Sequence, residues 1–186
     1  MPFIQTEFPG LMIYEPNVFS DARGYFLESF NAKTFAAAGT EVQFVQDNES
    51  MSNYGVVRGL HFQKPPYAQA KLVRVVKGEV LDVVLDIRKG SPTYGRTFEL
   101  LLSEENKKML FIPRGFAHGF SVLRNETIFS YKCDNFYHRE SEGGVSPTDP
   151  ALQIDWRLPR EVFILSEKDQ NSPTFSQLIS EFNFAL

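Results

Sequence analysis

Along most of the chain the apolar positions alternate with polar ones instead of recurring at helical spacing, which predicts a protein built mainly of short strands. Residues 71–88 are dominated by Val and Leu, with Gly78 as the turn residue between two strands. In the second strand Leu81, Val83, Leu85 and Ile87 share one face, and Asp82, Val84, Asp86 and Arg88 share the other. The wholly apolar face is the one expected to pack inward. Further strands are predicted over 42–53, 97–102, 109–112, 117–123 and 127–133. Residues 1–30 read as short strands broken by Pro9-Gly10, Glu15-Pro16-Asn17 and Asp21-Ala22-Arg23-Gly24. Helical signals are few. Asn31 can cap a short helix through Phe35 to Ala38, ended by Gly39. After the loop-rich stretch that follows Gly143-Gly144, Pro173 precedes an amphipathic helix carrying Phe175, Leu178, Ile179 and Phe182.

Composition narrows the class. With 186 residues, 14% of them aromatic, the chain has enough apolar mass for one full core, and it reads as a single domain over 1–186. A net charge of -4 argues against a nucleic-acid surface, so any anionic ligand must be held by local positive charge. Cys133 is the only cysteine, which excludes an intrachain disulfide and points to a reducing compartment, the cytoplasm. The N-terminal residues lack a basic start with an apolar core, and no apolar run approaches a membrane span, so a soluble, unprocessed protein is expected.

The candidate chemistry centres on Gly55-Val56-Val57-Arg58-Gly59-Leu60-His61-Phe62-Gln63, followed by Lys71-Leu72-Val73-Arg74. Two strand-like runs separated by Pro65-Pro66 place His61, Arg58 and Lys71 on what are expected to be neighbouring strands. The spacing follows the outline of the first cupin motif, but Gln63 and Lys71 stand where the metal-binding form has histidine and glutamate. Pro113, Gly115 and His118 match a fragment of the second motif, with Val122 in place of its later asparagine. Because an ammonium group repels a metal cation, and zinc or iron needs about three or four protein ligands, the expectation is a cupin-type β-barrel, or jelly roll, without a metal.

The segments Arg58-Gly59-Leu60-His61-Phe62-Gln63, Phe111 to Phe120 and Tyr131-Lys132-Cys133-Asp134-Asn135-Phe136-Tyr137 resemble those of the dTDP-4-dehydrorhamnose 3,5-epimerase family, along nearly the full length. The resemblance implies inversion at C3 and C5 of dTDP-4-dehydro-6-deoxy-D-glucose, on the route to dTDP-L-rhamnose. Both carbons lie α to the C4 ketone. Each inversion therefore needs a base, an acid across the sugar and a cation at the ketone oxygen, with no cofactor. By resemblance His61 is the base with Asp169 as its carboxylate partner, Tyr131 is the acid, and Lys71 is the active-site lysine. Arg23, Glu28, Gln46, Asp47 and Asn48 occupy positions similar to the family's substrate contacts, as do Arg58, His118, Glu142 and Lys168. The resemblance further implies a homodimer that exchanges N-terminal strands, so that some of the contacts between Arg23 and Asn48 come from the second chain.

Each of these residues also has a structural reading. His118 fits a satisfied core histidine as well as a substrate contact, and Tyr131 fits a buried strand tyrosine with a bonded hydroxyl. Tyr137 is a second candidate acid. Asp169 suits a cap, Lys71 a solvated strand position, and Arg23, Glu28 and Glu142 lie near turns. No function is read for His138. Epimerases acting at one carbon only, relatives acting on other nucleotide sugars, and a barrel that binds a nucleotide sugar without turnover remain open.

Overall fold

The protein is described by a computed structural model that covers residues 2–40 and 42–184. It is mainly β. The first part of the chain forms β1 (Phe3–Gln5), β2 (Met12–Tyr14), β3 (Val18–Asp21), β4 (Gly24–Leu27) and the short helix α1 (Ala32–Ala37). There follow β5 (Gln46–Ser52), β6 (Val57–Gln63), β7 (Lys71–Lys77), β8 (Glu79–Asp86) and β9 (Thr97–Ser103). The last strands are β10 (Met109–Ile112), β11 (Phe116–Val122), β12 (Thr127–Cys133) and β13 (Glu142–Gly144), ahead of the helix α2 (Glu167–Gln170).

The strands form two open sheets, ordered β1-β2-β10-β7-β12-β5 and β13-β6-β11-β8-β9, and a separate hairpin of β3 and β4. Contrary to the sequence expectation, β6 and β7 are not neighbours but belong to opposite sheets. At Gly78 the chain leaves one sheet for the other. That residue sits at φ +83°, and a Cβ there would run into Thr127 of β12, so glycine meets both a backbone and a space requirement.

Between the sheets lies a core of Val73 and Val75 from β7, Phe129 from β12, Val84 from β8, and Phe116 and Phe120 from β11. The prediction for β8 therefore needs correction. Its apolar face, Leu81, Val83, Leu85 and Ile87, packs outward under the C-terminal segment with Trp156 and Phe182. The face carrying Val84 and Asp82 turns inward, because the C-terminal segment supplies a second apolar layer and both faces of β8 are covered.

The predicted α1 forms as read, with Asn31 Oδ1 accepting from the backbone N–H groups of Lys33 and Thr34 at 3.0 and 3.4 Å. The amphipathic helix after Pro173 does not form. Only a 3₁₀ turn, Phe175–Gln177, is present, and Ile179 is 81% exposed. Beyond that turn the backbone bonds elsewhere: Lys89 donates to the carbonyl of Phe182, and Phe184 donates to that of Lys89. Phe175 from that turn, and Leu178 and Phe182 beyond it, still reach the outer core. Among the described residues, no helix is long and apolar enough to cross a membrane.

Candidate active site

One irregularity in β6 builds the site. β11 pairs His118 with His61 but Phe120 with Arg58, so β6 carries one residue more than its partner over this interval. In a regular strand, positions three apart face opposite ways. The bulge puts Arg58 and His61 on the same side, lining one cleft, while Val57, Leu60 and Phe62 enter the outer core. Gly59 permits this: its φ is +112°, and a Cβ would stand 2.6 Å from the Cα of Gly119 on β11.

His61 Nε2 lies 2.5 Å from Asp169 Oδ1. Asp169 is 3% exposed and His61 33%, so the carboxylate is enclosed and the imidazole opens to the cleft. The other carboxylate oxygen is also engaged. Ser166, the N-cap of α2, donates through Oγ to Asp169 Oδ2 at 2.8 Å and accepts from the Asp169 N–H at 3.1 Å. Burial alone would raise the Asp169 carboxyl. The hydrogen bond and charge of His61, the Ser166 hydroxyl and the Lys168 ammonium outweigh it and hold the group below the usual aspartate value. The carboxylate stays ionised and holds the imidazole in place through Nε2.

Tyr131 and Lys71 come from the opposite sheet, on the paired strands β12 and β7. The Lys71 ammonium lies 5.8 Å from the centroid of the Tyr131 ring. Desolvation, with the nearby Cys133 and Glu142, pushes the Tyr131 hydroxyl upward against the pull of Arg58, and so keeps it protonated. Desolvation pushes the Lys71 ammonium downward. A cavity of about 450 Å³ is lined by Arg58, His61, Lys71, His118, Tyr131 and Asp169. An adjoining hollow of about 300 Å³ shares His61, Lys71 and Tyr131 and adds Gln46, Asn48, Tyr137 and Glu142. Lys168 stands beside it, 2.8 Å from Glu142 Oε1.

Three expected contacts lie outside the cleft. Arg23 sits at the tip of the β3–β4 hairpin, 2.5 Å from Asp21. Glu28 accepts from Asn31 Nδ2 at 3.1 Å next to α1. Asp47 pairs with Lys132 at 2.8 Å and lines neither cavity. Strand alternation explains this last case: Gln46 and Asn48 face the cleft, and Asp47 between them faces away.

The roles of three residues escaped the sequence reading. Ser166 left a trace, because Ser166-Glu167-Lys168-Asp169 has the spacing of an N-cap followed by an acid at the third helical position. Asp82 bonds His118 Nε2 at 2.8 Å from the strand face expected to point outward. Gln63 became a clamp, donating to the carbonyls of Tyr67 and Phe136 and accepting from the His138 N–H at 2.7 Å. Among the described residues, no three His, Cys, Asp or Glu side chains gather as they would around a metal ion.

A carboxylate-held imidazole on one sheet, faced by a protonated phenol and a lysine on the other, is an arrangement that can move protons on and off a bound molecule, as acid–base enzymes do. The family model described as dTDP-4-dehydrorhamnose 3,5-epimerase matches residues 5–177. The chain belongs to that family. It is 53% identical over 176 residues to the dTDP-4-dehydrorhamnose 3,5-epimerase of Shigella flexneri, covering 94% of this chain and 96% of that one. The crystal structure of dTDP-6-deoxy-D-glucose-3,5-epimerase from Legionella pneumophila Philadelphia 1, in complex with dTDP-4-keto-L-rhamnose, superposes with a TM-score of 0.94 at 45% identity, covering 99% of this chain and 98% of that one. The dTDP-4-dehydrorhamnose 3,5-epimerase from Elizabethkingia anophelis NUHP1 gives 0.89 at 52% identity, with 94% and 96% covered.

Proposed function

We propose that the protein converts dTDP-4-dehydro-6-deoxy-D-glucose to dTDP-4-dehydro-L-rhamnose, with His61 as base and Tyr131 as acid. The observation that carries this reading is the placement of the His61–Asp169 pair and Tyr131 on opposite sheets of one cleft. His61 takes the proton from a carbon next to the ketone, and the C–H electron pair moves into the C4 carbonyl to give an enolate. Asp169 stabilises the imidazolium that forms. Lys71 supplies positive charge for the enolate oxygen. Tyr131 returns a proton to the opposite face of the same carbon, and exchange with solvent restores both groups. Repetition at the second carbon completes the double inversion.

Arg58 and Lys168 suit the diphosphate, while Gln46, Asn48 and Glu142 suit the sugar and the base. His118 lines the cleft as a substrate contact, held from behind by Asp82. The reading takes residues 1–186 as one cupin-type jelly-roll domain, working in the cytoplasm as a homodimer. Phe19 and Phe26 on the β3–β4 hairpin are 65% and 68% exposed, an apolar surface that a second copy would cover. Crossing to that copy would bring Arg23 and Glu28, at and beside the hairpin, towards a cleft.

The test is conversion. Incubated with the protein alone, dTDP-4-dehydro-6-deoxy-D-glucose is expected to yield the L-rhamno configuration, read from its proton coupling constants. Unchanged substrate would contradict the reading.

A further inference from the structure

The Arg58 side chain is anchored by a residue that stands behind the cleft. Its Nε and Nη2 both donate to Ser52 Oγ, at 3.2 and 3.0 Å. Ser52 is the last residue of β5 in one sheet and Arg58 lies on β6 in the other, so these bonds join the two walls of the cleft. Along β5, Gln46 and Asn48 line the smaller hollow and Ser50 lines the larger cavity. Ser52 continues the same strand face but is only 6% exposed and lines neither. Among the described residues it is the one hydrogen-bond partner of the Arg58 side chain.

We propose that Ser52 is a positioning residue for the nucleotide diphosphate: by holding the Nε–Nη2 edge of Arg58, it aims the terminal Nη1–Nη2 edge of the guanidinium into the cleft, where that edge takes the phosphate oxygens. The inference rests on the reading above that Arg58 meets the diphosphate.

The chemistry of the anchor supports it. A guanidinium presents donors along two edges, and one hydroxyl oxygen occupies the first while leaving the second for a ligand. A side chain already held in place loses less freedom when an anion arrives. A hydroxyl also holds the arginine without offsetting its charge, as a carboxylate would. Lys168, the other cation read as a diphosphate contact, shows the contrast, because Glu142 holds it at 2.8 Å and opposes its charge. Arg58 keeps its full charge facing the cleft that it lines.

Ser52→Ala removes the acceptor and leaves the arginine. The Kd for dTDP is expected to rise about fivefold, and the KM for dTDP-4-dehydro-6-deoxy-D-glucose by a similar factor, with kcat within about twofold of wild type. In an Arg58→Ala background the same substitution should change the dTDP Kd by less than about twofold, because no guanidinium is left to aim. A dTDP Kd that Ser52→Ala leaves unchanged, or that it raises equally with and without Arg58, would overturn the proposal. If Arg58→Ala alone leaves the dTDP Kd unchanged, the diphosphate reading of Arg58 has failed and the proposal falls with it. Should Ser52→Ala not fold, ¹⁵N NMR of the Arg58 Nε–H in ligand-free wild type decides the matter. Slow exchange with solvent is expected of a bonded edge, and exchange as fast as that of a free surface arginine would overturn the proposal.

Discussion

His61 Nε2 and Asp169 Oδ1 stand 2.5 Å apart although 108 residues separate them in the chain. A strand bulge delivers the first and a capped helix of a single turn delivers the second. Neither element belongs to the sheet that carries Tyr131 and Lys71. The geometry of the dyad therefore depends on two local devices, each open to a separate test.

The helix device is Ser166. Replacing it with alanine removes the cap on α2 and the bond to Asp169 Oδ2 together. Ser166→Ala is expected to cost about 1 kcal/mol of stability, the usual worth of an N-cap. It should lower kcat about tenfold with KM little changed, as for a group acting through the base. Ser166→Thr, which keeps the hydroxyl, should recover most of both. Denaturant titration and steady-state kinetics on the two variants check this.

The strand device is Gly59. A methyl group there meets the backbone of β11, at a φ that side chains rarely adopt. Gly59→Ala is expected to destabilise the fold by about 2 kcal/mol or more and to reduce activity in the fraction that folds, because the bulge is what turns Arg58 and His61 to the same side. Wild-type stability and turnover in the variant would show that the close approach is not needed.

The depressed Asp169 carboxyl gives a pH dependence of stability. A group whose folded pKa lies below its unfolded value contributes stability that is fully present above the unfolded value and is lost as pH falls through the folded one. Relative to Asp169→Asn, the wild-type advantage should be constant above the ordinary aspartate range and shrink only in more acidic solution. Urea unfolding of the two proteins across that range is the measurement, and an advantage growing towards low pH would contradict the assignment.

The strands were legible in the sequence because alternation and turn residues mark them locally. Gly78, the Asn31 cap and the segments 97–102 and 127–133 carry their own signals. What was not legible depends on partners distant in sequence. Which face of β8 turns inward is decided by the C-terminal segment, which buries Leu81 and Leu85 and leaves the interior to Asp82. The missing C-terminal helix has the same cause, since Phe175, Leu178 and Phe182 find the outer core while the backbone around Phe182 bonds to Lys89. The bulge in β6 is legible only against β11. His61, Tyr131, Lys71 and Asp169 could be picked out through the family resemblance, but the bonds of Ser166 to Asp169 and of Asp82 to His118 are apparent only once the chain is folded.

The most direct test of the central claim follows exchange of substrate carbon-bound protons by NMR in deuterated water, comparing wild type with His61→Ala. The account predicts deuterium at both C3 and C5 with both centres inverted for wild type, and neither label nor inversion for the variant, with dTDP still bound. Unchanged exchange in His61→Ala would remove His61 as the base, and label at one carbon alone in wild type would contradict the double inversion.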